Sequence, residues 1–145
     1  DLGDTDAAAP LLDAAQAAGA RGARLDVARA RLAFLRGDLA AAAELLDEVL
    51  LYEPRHADAL AFRAAVTMSQ GRPDEALALA ERAIASGYGK AWLRVMMGVA
   101  FLHARRDAQA IAAWAAALQI EPDDVHALGN SLEVRLKNIL KASNL

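Results

Sequence analysis

The sequence predicts an all-α chain built from repeated helix pairs, and three observations carry that expectation. The first is composition: about a quarter of the 145 residues are alanine and only 5% are aromatic, a balance that favours helix over strand. The second is a period of thirty-four residues, which links Ala42, Ala76 and Ala110, then Ala30, Ala64 and Gly98, then Val49, Ala83 and Ala117. Leu50, Ile84 and Leu118 keep the same step, as do Phe34, Met68 and Leu102. A period of this length marks stacked supersecondary units, none of which can bury its apolar face alone. The third is punctuation, with Gly37 and Gly71 one period apart and Pro54 and Pro122 two periods apart.

Each element can then be justified in turn. A helix near residues 6–18 comes first; Ala8 lies one period before Ala42 and Leu12 one before Leu46, so it fits the second half of an earlier unit. Helices near 24–36 and 39–52 follow, the first carrying Ala23, Val27, Ala30 and Phe34 at i, i+4, i+7 and i+11, a sound apolar face. Gly37 can take the left-handed conformation that ends a helix, and Pro54 disfavours helix at the residue before it. The next pair, near 57–70 and 73–86, repeats the face as Ala57, Ala61, Ala64 and Met68, with Gly71 at the turn and Pro73 at the start of the second helix. Gly87-Tyr88-Gly89 closes it. The third pair, near 90–104 and 107–120, has Ala91, Val95, Gly98 and Leu102 on the face, but Arg105 stands where a turn glycine is expected. Either Arg105 is left-handed, at a strain of about 1–2 kcal/mol, or the turn differs. A last helix near 124–141 carries Val125, Leu128, Leu132, Leu136 and Ile139 as an apolar stripe, as a capping helix needs. The alternative for this tail, where every asparagine and two of three lysines lie, is a mobile or partner-derived appendage.

The spacing and the order of small, large and proline positions resemble the tetratricopeptide repeat, a helix–turn–helix unit of thirty-four residues. The most specific stretches are LRGDLAAA from Leu35, QGRPDEAL from Gln70 and AALQIEPD from Ala116, and the resemblance covers about two-thirds of the chain, roughly 23–119. It implies a right-handed α-solenoid of antiparallel helix pairs, divided as an N-terminal helix in 1–22, units at 23–56, 57–90 and 91–124, and a C-terminal capping helix in 125–145. The pattern departs at the fourth and seventh positions, where an aromatic and a leucine are usual and this chain has Asp26, Leu60, Arg94 and Arg29, Arg63, Met97. That leaves open how the first helices are rotated. The bias toward alanine and arginine predicts a bacterial source. Because the chain starts at Asp1 with neither an initiator methionine nor a leader, we expect a piece of a longer array, from which a targeting signal had been removed or in which the repeats began earlier.

Chemistry is sparse. The chain has no cysteine, which excludes disulfides, thiol catalysis and thiolate metal sites. Its formal net charge of −3 supplies no electrostatic footprint for nucleic acid or an anionic membrane. The most apolar windows are too short to span a bilayer, so a cytoplasmic or periplasmic location is expected. His56, His103 and His126 form no i, i+4 metal pair, and are read as solvated or partly packed. The glycines make no phosphate loop, and no serine stands in a nucleophile elbow. Asp74-Glu75 and Asp123-Asp124 fall at helix N-termini, where the macrodipole favours negative charge, so a structural role suffices. Neither an enzyme nor a cofactor is expected.

A surface remains. The resemblance implies a concave groove lined by the first helices, at Arg24, Val27, Arg31, Phe34 and Leu35, then Asp58, Ala61, Ala65, Met68 and Ser69, then Trp92, Val95, Val99, Leu102 and His103. The last helix would add His126, Glu133 and Lys137. The lysines and asparagines of the groove that grips a terminal carboxylate are missing from the first-helix positions. The expected partner is therefore an amphipathic helix or extended apolar peptide, anchored at Val27, Phe34, Met68, Val95, Val99 and Leu102 and carrying an acidic residue near Arg31. The competing reading buries these same residues between adjacent helices. His103 and His126 facing one groove would make contact pH-sensitive. Other roles in view are a self-assembling module and a secretion or envelope-assembly chaperone.

Overall fold

The structure, a computed structural model, describes residues 2–143, without the side chains of residues 2–6, 125, 136, 139, 140 and 143. Among the described residues it has eight helices and no strand: α1 (Leu2–Ala17), α2 (Ala23–Leu35), α3 (Leu39–Tyr52), α4 (Ala57–Ser69), α5 (Pro73–Ala85), α6 (Ala91–His103), α7 (Asp107–Ile120) and α8 (Val125–Ser143). From α2 onward the ends match the expected ones within a residue or two. The first helix starts earlier than expected and runs through Pro10, which has no N–H to donate. The helices divide into two compact parts, one through Tyr88 and the other from Gly89.

In the N-terminal part the broadest packing joins α2 to α3 and α4 to α5, with α3 also against α4 and α1 against α2. One core cluster gathers Val27 and Ala30 of α2, Ala42, Leu46 and Val49 of α3, and Ala59 and Val66 of α4. The stripes read from the sequence are inward-facing: Ala30, Ala61 and Ala64 are fully buried, and Val27 nearly so. The small residues let helices approach at the short end of the usual separation of about 8–10 Å. Leu46 then fills the space.

The doubtful seventh position is resolved at Arg63. Its side chain, only 12% exposed, reaches back from α4 to Asp47 of α3, its Nε donating to Oδ1 at 2.7 Å. Its Nη1 donates to Thr67 Oγ1 at 2.9 Å, and that buried hydroxyl donates in turn to the Arg63 carbonyl at 2.8 Å. With Asp47 more than half exposed, the ion pair contributes at most about 1 kcal/mol. What matters is that a half-buried cation has its donors matched. The face bearing Ala59, Arg63 and Val66 therefore meets the preceding second helix, and the face bearing Ala61 and Ala64 meets the helix's own partner.

The turns inside the pairs share one form. Gly37, at φ 80°, donates to Phe34 O at 3.0 Å while Asp38 N donates to Ala33 O at 2.9 Å, closing the carbonyls of α2. Asp38 then caps α3 by accepting from Ala41 N at 3.1 Å. Arg105, at φ 58°, makes the same pair of bonds, its own N–H to Leu102 O and that of Arg106 to Phe101 O. Of the two alternatives the strained one is adopted. His56, read from the sequence as solvated or partly packed, also has a definite place: its Nδ1 accepts from Ala59 N at 3.2 Å and caps α4.

In the C-terminal part α6 packs on α7 and α7 on α8. Trp114 is fully buried against Gly98, and its indole N–H donates to Val95 O at 3.2 Å. A Cβ at Gly98 would overlap Nε1, Cε2 and Cδ1 of that ring. Asp124 starts α8 by accepting from the N–H groups of His126 and Ala127, each at 3.0 Å. The face of α8 that is buried is Ala127, Ser131 and Val134, one residue away from the stripe expected. Leu128 and Leu132 stand 46% and 56% exposed, because the helix turns its alanine–serine–valine face to α7; Val125, Leu136 and Ile139 lie outside the described side chains. Among the described residues, no helix is long and apolar enough to cross a membrane.

These packings have two measurable consequences. Replacing Gly98 by alanine should lower the unfolding free energy in a urea titration by about 1–3 kcal/mol, the usual cost of forcing an extra carbon into a filled core. Replacing Arg105 by glycine should raise it by about 1 kcal/mol, since the left-handed strain disappears and the turn's hydrogen bonds remain.

Candidate partner-binding surface

Surface residues of the first helices come from positions that neither packing face uses. In the N-terminal part Arg24 and Arg31 are exposed on α2, and the Arg31 guanidinium lies 4.9 Å from the centre of the Phe62 ring on α4. Such a stack holds a cation over an apolar plate, with roughly 0.5–1 kcal/mol of attraction where water has access. Phe62 was not among the groove residues read from the sequence. The signal was there, since it is the sole aromatic of α4, but it falls one place outside the positions the resemblance supplied.

The apolar anchors expected in this part do not share that surface. Val27 is 5% exposed and belongs to the core cluster, and Phe34 is half-buried against it. Val27 packs between helices and is unavailable as groove floor, and Phe34 leans on the same cluster. Ala61 and Ala65 are likewise buried, whereas Met68 is half-buried and Leu35, Asp58 and Ser69 are exposed. The helix-face period that made Val27 and Phe34 conspicuous is the signature of packing, so burial was the more economical outcome.

In the C-terminal part the expected residues stay closer to solvent. Trp92, Val95 and Val99 are half-buried along α6, and Leu102 is 38% exposed at its end, giving one apolar stripe. Leu102 also lines a cleft of about 90 Å³ together with Trp114 of α7 and Asn130, Glu133, Val134 and Lys137 of α8. Leu102, Glu133 and Lys137 thus line one cleft. His103 and His126 are exposed and neither lines this cleft. Glu133 and Lys137 form an i, i+4 pair at 2.7 Å, and the hydrogen bond and charge of Lys137 hold the Glu133 carboxyl below the usual carboxylate range. No group of three or more histidine or acidic side chains placed to hold a metal ion occurs among the described residues.

The helical repeat and its seams can now be set beside known proteins. The model of the tetratricopeptide repeat matches residues 1–57, 27–91 and 63–125, overlapping spans that together take in most of the chain. The chain belongs to the tetratricopeptide repeat family. Its fold is accordingly that of an all-α tetratricopeptide solenoid of antiparallel helix pairs. No curated protein matches it in sequence. Among solved structures, it is similar to a chain of the APC/C hetero-tetramer Cut9-Hcn1, at TM-score 0.80 and 18% identity over 92% of this chain and 27% of that one. It resembles the first tetratricopeptide domain of Spaghetti (RPAP3) bound to the HSP90 peptide SRMEEVD, at TM-score 0.75 and 14% identity, covering 81% of this chain and 93% of that one. An O-GlcNAc transferase mutant of Thermobaculum terrenum aligns at TM-score 0.72 and 22% identity over 77% of this chain. The repeat protein spans only 22% of that transferase's length. At these identities the likeness is one of fold.

The Glu133–Lys137 pair gives a local test of the cleft. A lowered carboxyl pKa means that the pair is intact above the usual carboxylate range and lost only as pH falls through the lowered value. Carbon-detected NMR titration of Glu133 should therefore give a midpoint below that of free glutamate. In Lys137→Met the midpoint should move back up.

Proposed function

We propose that this tetratricopeptide chain is a non-catalytic interaction module that binds an apolar peptide or amphipathic helix of a protein partner. The observation that carries the reading is the α6 stripe, where Trp92, Val95, Val99 and Leu102 keep apolar surface open along one helix face, ending at a cleft edged by Glu133 and Lys137. Helix-in-groove recognition uses anchors at this spacing. In the N-terminal part the candidate contact is polar instead: Arg24 and Arg31, with Phe62 beneath Arg31, suit an acidic residue of the partner. Val27 and Phe34 are left out of the site.

Peptide binding by the RPAP3 domain supports the mode of action but not the same ligand. An acidic peptide tail held by its carboxylate calls for cationic and amide side chains along the first helices, and α6 presents Trp92, Val95, Val99 and Leu102 instead. Affinity should be modest. A peptide burying about 500 Å² of apolar area gains roughly 12 kcal/mol, and an association cost at the low end, about 4 kcal/mol, leaves about 8, in the micromolar range.

Selection from a displayed library of helical and extended peptides tests this. Apolar sequences with an acidic residue should be enriched, and Leu102→Asp combined with Val99→Asp should weaken the selected peptide at least tenfold in isothermal titration, with helicity unchanged by circular dichroism. Arg31→Glu should weaken the acidic peptides by a smaller factor. Failure to select any peptide, or affinities indifferent to the α6 substitutions, would remove the reading.

A further inference from the structure

Where the start of α2 meets the end of α3 there is a cleft of about 230 Å³, lined by Ala23 and Val49 and by Asp26, Glu48, Tyr52 and Glu53. Three of its side chains are carboxylates and none is basic. The ion pairs among the described residues are Arg63–Asp47, Arg72–Glu75 and Lys137–Glu133, so all three carboxylates lack a cation. Asp26 is half-buried, where an unpaired charge is costly. Arg82 of α5 is engaged at the Pro54 carbonyl, at 3.3 Å, and Arg29, one turn after Asp26, does not line the cleft.

The repeat does not itself call for these residues. One and two periods on, the places of Asp26, Glu48 and Glu53 hold Leu60, Arg82 and Gly87, then Arg94, Ala116 and Glu121. Three like charges in the first unit thus become a single cation in the second and a balanced set in the third, yet each unit forms its helix pair. Leu60 is sealed at 1% exposure where the first unit has a charged wall and a cavity. Nor is a neighbouring helix missing here, since α2 packs on α1 before it and α3 after it. Tyr52 is 83% exposed and Leu51 74%, the two most exposed large apolar side chains among the described residues. The same places hold Ala85 and Ser86, then Gln119 and Ile120, which also keep contact with solvent, so this side of the second helix faces outward in every unit.

We propose that the cleft receives an arginine side chain from a basic segment of a protein partner, its guanidinium stacked on the Tyr52 ring and donating to the Asp26 and Glu48 carboxylates. Charge complementarity selects a cation, and the exposed ring selects a planar one: guanidinium stacks on an aromatic face while its fork of N–H groups reaches carboxylates to the side. A metal ion would need the acids to converge on one point, and no such group of three occurs among the described residues. The cleft shares no residue with the peptide surface proposed above, so either can fail without the other.

The test is an NMR titration of the isotope-labelled whole chain with a capped alanine peptide bearing one arginine. The same peptide with citrulline, which keeps the shape of arginine without its charge, and with lysine are the comparisons. The arginine peptide should shift the amide signals of Ala23, Asp26, Glu48 and Tyr52 saturably. The citrulline peptide should bind about tenfold more weakly, the loss expected of a charged hydrogen bond. Tyr52→Leu should weaken the arginine peptide by about threefold, and lysine in place of arginine by a similar factor. Asp26→Asn with Glu48→Gln should weaken it by about tenfold, with helicity unchanged by circular dichroism. Asp26→Leu, which installs the residue the second unit already packs at this place, should also weaken it and guards against a variant that fails to fold. Equal affinity for the arginine and citrulline peptides, or for the arginine and lysine peptides, overturns the proposal. So do carboxylate variants that bind as the unmodified chain does, or the absence of saturable shifts at these residues up to about 10 mM peptide.

Discussion

The indole of Trp114 rests on the bare backbone of Gly98, and the whole repeat depends on contacts of that kind. A helix pair can close only as far as the bulkiest side chains at its crossing allow. At the equivalent places the pairs are Ala30 with Leu46, Ala64 with Ala80, and Gly98 with Trp114, and the residues on both sides are buried. The bulkiest side chain, Trp114, faces the one residue at these crossings that has no side chain, Gly98. Trp114 additionally spends its N–H on the Val95 carbonyl, so the largest buried side chain leaves no polar group unmatched.

Once the crossings are set, α2 and α4 each have two faces committed, one to the helix that follows and one to the helix before. Arg63 is instructive because it occupies a committed position with a cation, and it succeeds only by finding Asp47 and Thr67. The remaining side of the helix is what the protein can offer to others. Burial nevertheless differs between units: Val27 belongs to the core cluster, while Val95, at the equivalent place on α6, and Val99, one turn further on, keep some solvent contact. The binding surface of such a module is a residue of its packing. It consists of the positions left over.

The same allocation gives the terminal helices their character. Ala127, Ser131 and Val134 meet α7 as Ala59, Arg63 and Val66 of α4 meet the helix before it, which leaves the leucines of α8 on the uncommitted seam. An apolar stripe at helical spacing is thus weak evidence for burial on a particular neighbour. Leu128 and Leu132 follow the period as faithfully as Ala61 and Ala64 do, and only the presence of a helix opposite separates the two cases. The Arg105 turn makes a related point about backbone: an unfavourable residue there was visible at once, but whether the chain would strain or choose another turn depended on the helices it joins.

By itself the sequence determined the local and periodic features: helix number and limits, turn positions, small-residue crossings and membership of a repeat family. These depend on residues within one thirty-four-residue unit, where propensity, capping and spacing act over a few turns of chain. Tertiary structure alone decided the azimuth of each helix, and with it that Val27 and Phe34 pack inward, that Phe62 lies under Arg31, that His56 caps a helix, and that the α8 leucines face outward. A helix repeats every 3.6 residues and tolerates an apolar stripe wider than its contact, so a rotation of some tens of degrees changes few sequence preferences while exchanging core for surface. Only the neighbouring helices can choose among those rotations.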